Sequence, residues 1–304
     1  MAPVLAEQGD RDVLKRATEA CYAFAARPEE TRVAEQTPLI ERNRLFGNPS
    51  RIGGQVSPDG RWLSWLAPRD GVLNVWTAPT RDPSASKPVT DERTRPIRAY
   101  AWSPDSARVL FVNDQGGDEN FRLFAAPPAG GETATLTPFD KTQAQILKVS
   151  RHVKDRILIG LNNRDPRWHD VHALDLASGT LSLVFENTGF GSFLFDEDLA
   201  VRMASRPRPD GGMDYHRFAN GHPEPEPFMR LGLDDASTTR PMRYARDGRT
   251  LYWIDSCGRD TAALIAEDVA TGERRVLAED PRADILGGAF NPRTGVVEAY
   301  PVTY

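Results

Sequence analysis

Val56-Ser57-Pro58-Asp59-Gly60-Arg61-Trp62-Leu63-Ser64-Trp65-Leu66 sets a tight turn in front of a dense apolar run, and the arrangement returns along the chain. Trp102-Ser103-Pro104-Asp105-Ser106 precedes Val109-Leu110-Phe111-Val112. Tyr244-Ala245-Arg246-Asp247-Gly248 precedes Leu251-Tyr252-Trp253-Ile254, and Phe290-Asn291-Pro292-Arg293-Thr294-Gly295 precedes Val296-Val297. The equivalent positions Ser57, Ser103, Ala245 and Asn291 are separated by 46, 142 and 46 residues. The long gap is about three periods and holds two degenerate copies. These are Val149-Ser150 before Ile157-Leu158-Ile159, and Phe195-Asp196 before Leu199-Ala200-Val201. Six starts at one spacing make a repeat architecture.

The turn residues explain the motif. Pro presets the backbone angle at the second turn position, Asp or Asn bonds its own backbone, and Gly closes the turn. The apolar run that follows is too short and too rich in Val, Ile, Trp and Phe for a helix, so it reads as a buried strand. A Gly/Asp-rich loop and a second strand come next, as in Asn74-Val75-Trp76-Thr77-Ala78, then a turn and a short strand ending near Thr90, Thr137 or Ala278. Four strands in about 40 to 50 residues are the signature of a β-propeller blade. A β-sandwich or barrel does not require the same turn to recur at one period.

The expected organisation is therefore all-β, with a short N-terminal helix. Residues 1–36 form a helical extension and linker, in which Val13, Leu14, Ala17, Cys21 and Phe24 share a face and Asp10 caps the start. Such a helix either docks another domain or folds back on its own propeller. Thr37 to Ile52 reads as an extended lead-in. Blades run from Gly53 to Thr90, Ile97 to Phe139, Ile146 to Asn187, Gly191 to Leu231 and Arg240 to Asp280. The fourth is the least regular, with loops at Pro207–Gly212 and Pro223–Pro227. A sixth begins at Ile285 with two strands before Tyr304, so the propeller of residues 37–304 is expected to be cut short in its sixth blade.

A net charge of −5, from 38 basic and 43 acidic residues, offers no electrostatic reason for nucleic acid or an anionic membrane as partner. Cys21 and Cys257 are far apart and have no metal or redox spacing, which favours a reducing compartment. No leader-like or membrane-spanning run is visible, and the reading is a cytoplasmic protein.

No catalytic constellation emerges. No serine has the flanking glycines of a nucleophile elbow, and Gly189-Phe190-Gly191-Ser192 reads as a turn between blades. His152, His169, His172, His216 and His222 lack a catalytic context. His169-Asp170-Val171-His172 invites a metal, but strand periodicity places the histidines at solvent-facing positions instead. Asp118, Glu119 and Asp255 either line a central channel or cap turns. Trp62, Trp65, Trp76, Trp102 and Trp253 are expected to pack between blades. No catalytic, cofactor-binding or metal-binding residue is assigned, and no cofactor is expected.

Further stretches carry a resemblance. Thr37-Pro38-Leu39-Ile40, Leu45-Phe46-Gly47-Asn48-Pro49, Asn113-Asp114-Gln115-Gly116-Gly117-Asp118-Glu119-Asn120 and Leu136-Thr137-Pro138-Phe139 stand in order with the Ser-Pro-Asp-Gly turn. They are followed by Leu161-Asn162-Asn163-Arg164-Asp165-Pro166, His169-Asp170-Val171 and Gly258-Arg259-Asp260-Thr261. This set, over residues 37–304, resembles the propeller of prolyl oligopeptidase-family (S9) serine peptidases, in the acylaminoacyl-peptidase and dipeptidyl-aminopeptidase-like branch. The turn alone is shared with TolB-type propellers. In that family the propeller caps an α/β-hydrolase domain that carries Ser, Asp and His. The resemblance implies a gating and selecting role toward short peptides, no activity in this chain alone, and a hydrolase domain as partner. The alternative is a stand-alone propeller scaffold that binds protein or peptide.

Overall fold

A computed structural model describes residues 39–304. The expected helix around Val13–Phe24, with Cys21, lies outside them. In the lead-in, Arg42–Phe46 form helix α1, one turn closed by the Gly47 N–H on the Asn43 carbonyl, where an extended segment was expected. Arg42, Asn43, Arg44 and Leu45 include no β-branched residue or proline to oppose a helical turn. Asn48–Tyr304 is a separate compact unit.

That unit is a β-propeller of consecutive antiparallel sheets. The first sheet holds β1 (Ile52–Val56), β2 (Trp62–Arg69), β3 (Val72–Pro79) and β4 (Lys87–Pro88) in sequence order. The second holds β5 (Tyr100–Trp102), β6 (Val109–Asn113), β7 (Arg122–Ala126) and β8 (Ala134–Thr135). The third holds β9 (Ala144–Lys148), β10 (Arg156–Asp165), β11 (Trp168–Asp175) and β12 (Leu181–Phe185). The fourth holds β13 (Ser192–Phe195), β14 (Val201–Pro207), β15 (Met213–Ala219), β16 (His222–Pro223) and β17 (Met229–Leu231). Helix α2 (Leu233–Ala236) leads to the fifth sheet, β18 (Arg240–Tyr244), β19 (Thr250–Asp255), β20 (Ala263–Asp268) and β21 (Arg274–Ala278). The sixth consists of β22 (Ala289–Phe290) and β23 (Val297–Ala299).

Burial follows the sheet order. The middle strands are buried on both faces, so β6 and β19 are apolar nearly throughout, whereas the outer strands β12 and β21 are largely exposed. The core is a series of layers between successive sheets. Leu66, Val75, Val109 and Phe111 fill the first, and Leu110, Leu123, Ile157 and Ile159 the second. Leu158 and Val171 meet Phe195 and Val201 in the third; Met203 and Tyr215 meet Leu251 and Trp253 in the fourth. Each fully buried Leu, Ile or Phe contributes about 1.5–3 kcal/mol of transfer free energy.

Two expectations change. Trp102 and Trp253 pack between sheets, but Trp65 and Trp76 cluster with Leu63, Ala67 and Ala78 of their own sheet, on the face away from the second sheet's layer. The fourth strand of the fourth sheet is split into β16 and β17, both paired with β15, and β16 occupies part of a stretch read as loop. Pro225 and Pro227 between them cannot donate to a ladder, so pairing lapses and resumes.

The recurring turn is built as its residues demand. Ser57 Oγ donates to Asp59 Oδ1 at 2.6 Å and accepts the Trp62 N–H at 3.0 Å, while Asp59 Oδ1 accepts the Arg61 N–H at 3.0 Å. Ser103 and Asp105 repeat this, with Ser103 Oγ 2.5 Å from Asp105 Oδ1 and 2.9 Å from the Arg108 N–H. Gly60 closes the turn at φ 75°, and Ser106, Leu199 and Gly248 take the same left-handed angle in later sheets.

Candidate functional site

The turn ends of the six sheets surround a cavity of about 630 Å³, lined by first-strand residues from every sheet but the fourth, which supplies Glu197 from its turn. The turns begin at Ser57, Ser103, Ser150, Asp196, Ala245 and Asn291. Two positions before these residues, Gln55, Ala101, Lys148 and Arg243 line the cavity. One position after them, Pro58, Pro104, Arg151, Glu197 and Pro292 do so. The cavity is thus the mouth of the central channel at the turn end. Every charged residue in its lining comes from the third, fourth or fifth sheet; the other sheets supply Pro, Ala, Val, Trp, Phe and Gln.

Glu197 organises the charged side. Its Oε1 accepts from Lys148 Nζ and from an Arg243 Nη, each at 2.8 Å, and its Oε2 accepts from Ser150 Oγ at 3.0 Å. One carboxylate therefore ties the third, fourth and fifth sheets. Burial pushes its pKa up, but the bonds and charges of Lys148, Ser150 and Arg243 outweigh that and hold it below the ordinary carboxylate value. Arg243 Nε is buried without a hydrogen-bond partner among the described residues, and the guanidinium lies 5.2 Å from the centre of the Phe290 ring. The salt bridges of the described residues take up Lys148 and Arg243 but not Arg151.

The residues singled out in the sequence fall elsewhere. Asp118 accepts the Asn120 N–H at 3.1 Å and caps its turn. Asp255 is buried, accepts the Cys257 N–H at 2.8 Å and pairs with Arg274. Neither lines the mouth, nor does Glu119, whose N–H donates to Asp114. His169 and His172 lie on β11 three residues apart and so point to opposite faces. His169 is half-buried rather than solvent-facing: its ring lines a cavity of about 230 Å³ beside Leu147, Phe190 and Phe193. Burial lowers its pKa, and its Nε2 has no partner among the described residues. Among the described residues no group of three or more His, Cys, Asp or Glu side chains converges to hold a metal. No helix among them is long and apolar enough to cross a membrane.

Sequence reasoning missed Lys148, Arg151, Glu197 and Arg243. The usable signal was the repeat period itself, applied to charges: Lys148 to Glu197 spans 49 residues, and Glu197 to Arg243 spans 46.

No protein-family model matches the chain. It is 45% identical over 291 residues to dipeptidyl aminopeptidase BIII of Pseudoxanthomonas mexicana, covering 93% of this chain and 42% of that protein. In sequence the chain is thus similar to a dipeptidyl aminopeptidase along nearly its whole length. Dipeptidyl peptidase family member 6 of Caenorhabditis elegans is 32% identical over 287 residues, covering 88% of this chain and 38% of that one. The chain thus spans about two fifths of the length of the curated relatives it matches. Among solved structures, the Pyrococcus horikoshii acylaminoacyl peptidase superposes at a TM-score of 0.50 with 17% identity, over 79% of this chain and 40% of that one. A puromycin hydrolase matches at 0.50 with 12% identity, over 76% of this chain and 38% of its own. These structures agree in fold.

Proposed function

We propose that residues 37–304 are the non-catalytic propeller of a prolyl oligopeptidase-family serine peptidase, and that the propeller gates and selects short peptides for an α/β-hydrolase domain. The observation that carries this is the 45% identity to a dipeptidyl aminopeptidase over a propeller that spans 42% of it. A channel mouth ringed by six sheets is a physical basis for size selection, because folded proteins do not fit a cavity of about 630 Å³. Bond cleavage belongs to the partner domain, where acyl transfer needs a serine, its histidine base and an oxyanion hole. Two cysteines far apart in sequence, with no disulfide-framework spacing, support a cytoplasmic setting.

The test is covalent labelling with a serine-directed fluorophosphonate. The purified 304-residue chain stays unlabelled, whereas the native protein isolated from its source carries the label and maps to peptides of a hydrolase domain. A native, unlabelled protein consisting of the propeller alone would instead favour the stand-alone scaffold.

A further inference from the structure

The mouth is chemically lopsided. Lys148, Arg151 and Arg243 line it together with a single carboxylate, Glu197. That carboxylate is already engaged by Lys148, Ser150 and Arg243. An ammonium offers three donors and a guanidinium five, so Lys148 and Arg243 retain N–H groups after binding Glu197. The Arg243 Nε–H has no acceptor among the described residues but is closed off from solvent, whereas the half-buried Arg151 enters no salt bridge among them. The charged half of the mouth therefore has surplus donors and surplus positive charge. Opposite stand Pro58 and Pro104, which offer apolar surface and no N–H.

We propose that the channel mouth is a carboxylate-binding site that takes the acidic side chain or C-terminal carboxylate of a short peptide. Arg151, Lys148 and Arg243 hold the carboxylate in charge-assisted hydrogen bonds, while the remaining peptide lies against the prolines. A cavity of about 630 Å³ suits a ligand of a few residues. Amines are disfavoured there, because the one lining carboxylate is occupied and is outnumbered by cations. As a device that selects substrates, the site rests on the peptidase reading above. Binding itself needs no hydrolysis, so the two readings fail separately.

The experiment is calorimetric titration of the full 304-residue chain with acetyl-Ala-Ala-Glu and with its uncharged counterpart acetyl-Ala-Ala-Gln-amide. The acidic peptide binds and the uncharged one does not. Arg151→Gln, which orphans no buried partner, weakens binding about tenfold, the scale of one charge-assisted bond. The double variant Arg151→Gln with Arg243→Gln removes two of the three cations, leaves Glu197 paired with Lys148, and weakens binding further while the circular dichroism spectrum is kept. Equal binding of the two peptides, or acidic-peptide affinity unchanged in both variants, overturns the proposal. Retained binding with an unlabelled native protein would overturn only the peptidase reading.

Discussion

Ser150 Oγ shares its one hydroxyl proton between the backbone carbonyl of Glu197 at 2.6 Å and that residue's Oε2 at 3.0 Å, across 47 residues, one repeat period. Offsets close to one period recur in other bonds between neighbouring sheets. The Asp59 N–H donates to Ser106 Oγ across 47 residues, Arg246 pairs with Asp198 across 48, and Arg240 reaches the Leu286 carbonyl across 46. The repeat is therefore both a copy number and a bonding rule between neighbours.

Glu197→Gln breaks the junction of three sheets. It leaves Lys148 and Arg243 side by side without a counter-charge, and their side chains are only 19% and 26% exposed. Removing one partner of a fully buried pair costs about 3–5 kcal/mol, and the water still reaching both cations lowers this to about 2 kcal/mol. Urea denaturation of the variant against the parent measures it; a loss below about 0.5 kcal/mol would mean that the junction is not structural.

Acid should act through the same carboxylate. Glu197, Asp170 and Asp255 are all held below their ordinary values in the folded chain. Such groups stabilise the fold above their unfolded pKa values, and that contribution is lost as pH falls through the depressed folded ones. The thermal midpoint should therefore be level from neutrality down to about pH 5 and fall below it. Glu197→Gln should make that fall shallower; an unchanged slope would remove Glu197 from the linkage.

In the first turn, Asp59 is held down to about 2: burial pushes it up, but the Ser57 hydroxyl and the Arg61 backbone and side chain outweigh this. Asp59→Ala removes the acceptor that organises the turn and should cost about 1 kcal/mol, as loss of a cap does. Asp105→Ala should cost a similar amount, because Asp105 makes the same bonds to the turn serine and backbone and lacks only the exposed Arg61 ion pair, which is worth little. Paired chemical denaturation curves compare the two, and a tenfold difference between them in folding equilibrium would contradict the equivalence of the turns.

Gly295→Ala and Gly272→Ala separate two causes of strain. Both residues have left-handed backbones, at φ 70° and 73°. A Cβ at Gly272 meets nothing, whereas at Gly295 it would lie 2.9 Å from the Ala245 Cα. Gly272→Ala should cost about 1 kcal/mol from conformation alone, and Gly295→Ala clearly more. Equal shifts in melting temperature would show that the turn of the sixth sheet does not press on the fifth.

The fold was legible because Ser57-Pro58-Asp59-Gly60 and its copies announce a turn by residue type, and the apolar runs after them announce a strand buried on both faces. The mouth was not, because its residues share no type. Lys148 stands where other sheets have Gln55 and Ala101, and Glu197 where they have Pro58 and Pro104. Chemistry appears there as deviation from the repeat, which is invisible until equivalent positions are superposed. His169 misled because alternation along a strand states which face a residue takes, not whether the next sheet covers that face. Covering depends on Phe190 and Phe193, 21 and 24 residues away.

The consecutive strand order within each sheet also has a kinetic consequence. Every strand pairs with a near neighbour in sequence, and the farthest side-chain hydrogen bond among the described residues, Arg108 to the Leu176 carbonyl, spans 68 positions. Loop-closure entropy stays small when contacts are this local, so each sheet can assemble as a unit and then dock on the one before it. Such a chain acquires its layers in order of synthesis, and the Lys148–Glu197–Arg243 junction forms only when the fifth sheet arrives. The cationic mouth is then among the last features to mature on a scaffold already half built.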